Sequence, residues 1–341
     1  MTEYKDTRMY TPAEILSVLA VFLLLCSCHG FGKDSYQISV AKQTRRLYII
    51  GHRGAAGLAP ENTLSAFKRA CELGVDAVEL DVLLTADREI VVYHDYTLKP
   101  EITRTPDGKW IQDNGPTINT VTLDELKTYD VGRLQPGTRY AKRYPEQKPA
   151  DGERIPTLDE VIEIMKTNCN GATELWIEIK TNPEKPTLTP KPETIANAVV
   201  KLVQHKSFVS RVRILSFDWG ALAHIQKIAP EIPTIYLSLA GRSLNNIKPG
   251  QPGASPWMAG LDIDDFSGSI PQAVKAAGGR KWAPYYKHLT DDRLNEAHDL
   301  GLQIFVWTPD DHDALVRLME MGVDGIITNR PDILKALARE P

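Results

Sequence analysis

The sequence predicts an α/β protein, a (β/α)8 TIM barrel with an inserted loop region at its C-terminal mouth. Three observations carry this expectation. From residue 47 onward, eight short apolar runs alternate with helical patterns. The helical stretches have their own start and stop signals. The side chains able to do chemistry gather at the C-terminal ends of the apolar runs, the face where barrel enzymes place their active sites.

The strand candidates are Leu47–His52, Ala77–Thr85, Leu175–Lys180, Val212–Phe217, Thr234–Leu239, Trp282–Tyr286, Gln303–Thr308 and Gly325–Thr328. Two further runs, Ile90–His94 and Leu261–Asp264, read as extra strands. Only four residues separate the first of these from the second strand, so it is expected to pair back on it. Thr157 and Glu160 form a capping box, with Leu158, Val161, Ile162 and Met165 on one helical face. The helix after Asn62 carries Leu64, Phe67 and Cys71 on one stripe and stops at Gly74. Helices beginning near Thr290 and Asp311 stop at Gly301 and Gly322. Residues 96–156 break the rhythm with many prolines and glycines, which reads as an insertion at the barrel mouth.

A chain of 341 residues suits one large barrel, residues 47–338 here. A hydrophobic content of 42% with 25% charged residues is the balance of a globular enzyme. The net charge of −4 excludes a broadly basic nucleic-acid binder. A mean hydropathy of −0.27 excludes a polytopic membrane protein. Four cysteines are too few for a disulfide-scaffolded mini-fold. The apolar run Ile15–Leu25 is short for a membrane span but suits the core of an export signal. Leu25-Cys26-Ser27-Cys28 resembles a bacterial lipoprotein cleavage box. Residues 1–28 are therefore expected to be a signal segment and 29–46 a tether. The protein would be exported to the periplasm or outer surface and anchored through lipidated Cys28. Cys71 and Cys169 are expected to be free buried thiols.

Four clusters carry the chemistry. Gly51-His52-Arg53-Gly54 sets a His and an Arg between glycines, which lets backbone and cation approach an anion closely. Glu79 and Asp81 lie two apart on a strand, so both point into the barrel while Val78, Leu80 and Val82 face the helices. Two carboxylates there repel unless a cation separates them, and a hard divalent ion is the simplest answer; ion pairs with internal Arg or Lys are the alternative. Glu178 and Lys180 repeat the spacing beside Trp176. Glu178 would complete a three-carboxylate site, and Lys180 holds a phosphate oxygen or neutralises Glu178. His94 closes the run IVVYHD opposite His52. Together these suit an anionic ester. His298, His224, Trp257, Trp282 and the Lys142-Arg143 pair are expected to serve packing or solvation, and Asp218 a place at the rim.

These residues resemble the glycerophosphodiester phosphodiesterases. GHRGAAGLAPENTLSAF at 51–67 and VELDVLLTADREIVVYHD at 78–95 are similar to that family's two opening blocks. ELWIEIK, SFD, GLQIFVWT and DGIITNRP continue the likeness along the barrel. The resemblance implies a TIM barrel with His52 and His94 as the catalytic pair, and Glu79, Asp81 and Glu178 as ligands of one Mg²⁺ or Ca²⁺. It implies that Arg53 and Lys180 bind phosphate, that Glu61 stands in or next to the metal's ligand shell, and that Trp307 lies near the glycerol end. The expected reaction is metal-dependent hydrolysis of a small-molecule glycerophosphodiester to an alcohol and glycerol 3-phosphate, with His52 as base and His94 as acid. The alternatives are a phospholipase-D-like enzyme acting on lysolipids and a non-catalytic binder of phospholipid head groups.

Overall fold

A computed structural model describes residues 46–339 apart from Ser243. The expected signal segment, Cys28 and all of the tether except Arg46 lie outside the described residues. Eight parallel strands close into a barrel: β1 (Tyr48–Gly51), β2 (Ala77–Leu84), β4 (Glu174–Ile179), β5 (Val212–Ser216), β6 (Thr234–Ser238), β7 (Lys281–Pro284), β8 (Gln303–Trp307) and β9 (Gly325–Thr328). β9 pairs with β1, and β1 pairs with β2, which completes the ring. The short strand β3 (Ile90–Val92) lies antiparallel on β2, with Val92 opposite Val82, as the four-residue spacing predicts. Among the described residues, no helix is long and apolar enough to cross a membrane.

The strands alternate as a barrel requires. Ile50, Ala77, Trp176, Leu215, Ile235, Leu237, Ala283, Phe305 and Ile327 form the interior cluster. Val78, Leu80, Val82, Ile177 and Ile179 join the larger cluster between strands and helices. Each helix is set by local chemistry. In α1 (Leu64–Leu73) the Thr63 hydroxyl accepts from the Ala66 N–H, and Gly74 closes the helix in the left-handed region. The Thr157–Glu160 capping box opens α3 (Leu158–Thr167), which buries the four side chains on its expected face. His298 Nε2 donates to the Asp324 carboxylate at 3.0 Å and His224 pairs with Asn197 at 2.9 Å, both away from the mouth, in keeping with structural roles.

Two expectations are corrected. Leu261–Asp264 is not a strand; Ile263–Phe266 is a 3₁₀ turn, opened by the Asp262 carboxylate accepting from the Asp264 N–H. That local side-chain bond outweighs a short apolar run. Cys71 and Cys169 are not free thiols: they form a disulfide across 98 residues of chain, joining α1 to the end of α3. Nothing in the spacing of two cysteines so far apart announces this, because the pairing is made by α1 packing on α3.

The insertion is ordered. Its helix α2 (Leu123–Leu126) has a capping box of its own, Thr122 with Glu125. Leu98, Ile102, Ile118, Leu126, Val131 and Ile155 pack on Leu83, Val91 and Tyr93 as a satellite core. Arg104 bridges Asp130 at 2.7 Å and Asp151 at 2.6 Å, tying its two ends together. A native disulfide such as Cys71–Cys169 is typically worth about 2–4 kcal/mol. Reduction, or Cys71→Ser, is therefore expected to lower the unfolding free energy by about that amount in denaturant titration while leaving the α-helical signal of the folded state unchanged. A midpoint that does not respond to reductant would refute the staple.

Candidate active site

β2 and β4 run side by side with Glu79 opposite Trp176 and Asp81 opposite Glu178. This register brings three inward carboxylates to one place: oxygens of Glu79, Asp81 and Glu178 all lie within 4.8 Å of one another, and all three residues are buried. Two cations attend them. Lys180 Nζ donates to Glu178 at 2.8 Å and stands 3.4 Å from Asp81, and Arg53 Nε lies 3.4 Å from Asp81 on the other side. A fourth buried carboxylate, Glu61, accepts from Arg53 Nη1 at 2.7 Å. Four carboxylates against two cations leave two negative charges in a desolvated pocket. Accordingly burial, then Asp81 and Glu178, drive the Glu79 carboxyl well above its ordinary range, and burial raises Glu178 as well. Asp81 is buried too, yet His94, Lys180 and Arg53 hold it ionised and below its ordinary range. Its Oδ1 is buried and accepts no hydrogen bond. An unsatisfied oxygen beside two further carboxylates fits a divalent cation with oxygen ligands.

The turn after β1 shapes the anion-facing side. Arg53 adopts a left-handed backbone, φ 49°, which aims its N–H at Glu79 Oε2, 2.9 Å away. The flanking glycines make this turn possible. A Cβ on Gly54 would stand 2.7 Å from the Ala66 backbone, and one on Gly51 would run into the Gly54 carbonyl. Asn62, also at positive φ, donates to Asp81 Oδ2 at 3.0 Å. His52 is held from behind. Its Nδ1 is 2.7 Å from Asn329 Oδ1, and Asn329 Nδ2 donates to Asp310 Oδ2 at 2.7 Å. Because the amide nitrogen serves Asp310, the amide oxygen faces the ring, so His52 carries its proton on Nδ1. Nε2 is left with a lone pair, 4.0 Å from Glu79. Burial and the neighbouring Arg53 push the His52 pKa down to about 3. His94 is held differently: its Nδ1 lies 2.7 Å from a carboxylate oxygen of Asp95.

His52, Arg53, Glu79, His94 and Glu178 line a cavity of about 570 Å³ at the C-terminal mouth. Phe217, Tyr285 and Trp307 form an aromatic wall, with ring centroids 5.5 Å apart between Phe217 and Trp307 and 5.2 Å between Tyr285 and Trp307. Lys99, Tyr140, Arg143 and Tyr144 of the insertion also line it. All nine site residues expected from sequence therefore come to this mouth. Glu61 sits apart from the carboxylate trio and reaches it through Arg53. Lys142 and Arg143 are both exposed, as expected, and Arg143 also lines the cavity. Asp218 takes no part in the cavity lining; it caps the helix Trp219–Ile228 and accepts from Thr181 Oγ1 at 2.7 Å. Trp257 and Trp282 are buried, the latter donating to Ser238 Oγ at 2.9 Å. Sequence reading set Asp95 beside His94 but gave no role to it, nor to Asn329, Asp310 or Tyr140. Asn329 stands in the TNRP segment; for Asp310 and Tyr140 no local signal exists.

A dense acidic cluster that calls for a divalent cation, opening onto Arg, Lys and two imidazoles, suits one class of reaction, the hydrolysis of a phosphoric ester. The chain belongs to the glycerophosphoryl diester phosphodiesterase family, whose profile matches residues 52–333. It is 31% identical over 292 residues to the glycerophosphodiester phosphodiesterase of Caldanaerobacter subterraneus subsp. tengcongensis, covering 86% of this chain and 98% of that one. A solved Silicibacter pomeroyi structure, assigned as a glycerophosphoryl diester phosphodiesterase, shares 34% identity and a TM-score of 0.75, over 86% of this chain and 92% of that one. An Oleispira antarctica phosphodiesterase solved with the product sn-glycerol-3-phosphate shares the fold, at 22% identity and a TM-score of 0.61, over 86% and 97% of the two chains. The protein is thus an enzyme that hydrolyses glycerophosphodiesters, and its barrel is the family's. Removing the group behind His52 should be felt in the rate. Asn329→Ala is expected to lower kcat by about 10–100-fold, the cost typical of losing such an orienting partner. A variant with wild-type kcat would show that the His52 tautomer is set elsewhere.

Proposed function

We propose that the enzyme cleaves glycerophosphodiesters to an alcohol and glycerol 3-phosphate, with Glu79, Asp81 and Glu178 holding one Mg²⁺ or Ca²⁺ and with His52 and His94 moving protons. The observation that carries this is the unequal support of the two imidazoles on either side of the carboxylate trio. His52 is backed by a neutral amide and carries its lone pair on Nε2, the state of a general base. His94 is backed by the full negative charge of Asp95, which stabilises a ring that holds and delivers a proton. Arg53 and Lys180 bind the non-bridging oxygens and spread the charge that develops in the transition state. The divalent ion, when bound, supplies further stabilisation of that charge. His52 takes a proton from the attacking hydroxyl: either water, which gives glycerol 3-phosphate directly, or the substrate's own 2-hydroxyl, which gives a cyclic phosphate that water then opens. His94 returns one to the leaving alcohol. Trp307, Phe217 and Tyr285 give an apolar face for the glycerol carbons.

His52→Ala and His94→Ala are each expected to cost about 10²–10⁴-fold in turnover of a soluble glycerophosphodiester, read as released glycerol phosphate. Near-wild-type turnover in both would sink the assignment. Chelation is expected to abolish activity and added Mg²⁺ or Ca²⁺ to restore it; full activity in excess chelator would remove the metal from the account. Micellar lysolipid turned over faster than soluble diesters would favour the phospholipase-D-like alternative.

We also infer export, with the chain tethered through lipidated Cys28. The disulfide between Cys71 and Cys169 supports it, because such bonds persist in oxidising compartments and are rare in the cytosol. Cells fed a labelled fatty acid should label the wild type and not Cys28→Ser; equal labelling of both would contradict the anchor.

A further inference from the structure

The insertion sends one side chain into the charged part of the site. Tyr140 Oη donates to Glu61 Oε2, and Arg53 Nη1 lies 3.5 Å from the same phenol oxygen. Glu61 Oε1 accepts from Arg53 Nη1 at 2.7 Å, so the carboxylate spends one oxygen on each neighbour. Arg53 in turn reaches Asp81 with Nε, at 3.4 Å, and Glu79 with its backbone N–H. The chain of contacts runs from the insertion through Glu61 and Arg53 to two of the three carboxylates. The ring of Tyr140 is fixed independently, under Lys99 Nζ at 3.7 Å and edge-on to Tyr144 at 5.4 Å. The insertion also clamps backbone of the turn that follows Arg53: Gln147 Nε2 donates to the Ala56 carbonyl at 2.7 Å and the Lys148 N–H to the Leu58 carbonyl at 3.0 Å.

We propose that Tyr140 is a positioning residue for phosphate binding: its hydroxyl orients Glu61, which holds the Arg53 guanidinium toward the substrate phosphate. The proposal rests on the reading of Arg53 as the phosphate ligand. The geometry leaves Arg53 few other restraints. Its Nε is buried without a hydrogen-bond partner, and Glu61 is its closest ion-pair partner, at 2.7 Å against 3.4 Å for Asp81. Burial, with Glu61 beside it, drives the Tyr140 phenol well above its ordinary pKa, so it remains a donor at any working pH. Removing the hydroxyl strands a buried carboxylate oxygen, and Glu61 then compensates by moving onto Arg53 or toward water. Either movement turns the guanidinium away from the cavity. The insertion, an irregular segment by sequence, thereby contributes to the chemistry of the barrel it covers.

Tyr140→Phe keeps the ring and its two contacts and deletes only the hydroxyl. It is expected to lower kcat/KM by about 10-fold and to weaken binding of inorganic phosphate to the Mg²⁺-loaded protein by a similar factor, with an unchanged melting temperature. Glu61→Gln should lose at least as much, and the double variant should be no worse than Glu61→Gln, because both act through one Arg. Tyr140→Phe with wild-type kcat/KM and phosphate affinity would overturn the proposal. So would losses that multiply in the double variant, or a fall in activity and melting temperature with phosphate affinity intact, which would mark a structural role. A wild-type protein that cleaves no glycerophosphodiester, yet binds phosphate in a Tyr140-dependent way, would defeat the substrate reading and uphold this one.

Discussion

The structure depends on a charge balance at the mouth of the barrel. Glu61, Glu79, Asp81 and Glu178 are buried within reach of Arg53 and Lys180, and two negative charges remain uncompensated. Burying an unpaired carboxylate costs several kcal/mol, so a fold with such a surplus stays intact only by taking up protons or a cation. The raised carboxyl groups of Glu79 and Glu178 record the first option, and the unsatisfied Asp81 Oδ1 records the second. The same features suit the site to holding a divalent cation with oxygen ligands.

Everything around this point serves to aim it. Strand alternation and the one-to-one register of β2 and β4 place the three acids without any loop being involved. The left-handed Arg53 turn, possible only between glycines, ties the guanidinium to the same acids from the opposite side. Two imidazoles flank the trio, each oriented through its Nδ1 by a different kind of partner. The cavity they open onto is lined by Phe217, Tyr285 and Trp307 and by Lys99 and Arg143 of the insertion. The rigid parts come from the barrel. The other wall comes from the insertion, which has a core of its own and reaches the acids through Tyr140, Glu61 and Arg53.

Much of this was legible in the sequence because it depends on short-range periodicity. Glu79, Asp81, Glu178 and Lys180 announce their facing by a spacing of two, and the glycines around His52 and Arg53 announce a turn near an anion. The eight barrel strands emerge within one or two residues of the expected bounds, since each is a short apolar run between capped helices. What stayed hidden depends on contacts between distant segments. The disulfide joins residues 98 apart, and Asn329 reaches His52 across 277 residues of chain because β9 closes the barrel against β1. Tyr140 lies in a stretch with no periodicity, so nothing local separates it from Tyr144 or Tyr129. Leu261–Asp264 failed for the opposite reason: a local aspartate bond overrode an apolar pattern.

The central claim is that the surplus of two negative charges is met by one divalent ion. Equilibrium dialysis of the purified protein against Mg²⁺ and Ca²⁺, with bound metal measured by elemental analysis, tests it directly. The account predicts one ion per chain in the wild type, and a near-complete loss in Asp81→Asn at the same free concentration. A wild-type chain that retains no divalent ion, or an Asp81→Asn chain that retains as much as the wild type, would contradict it.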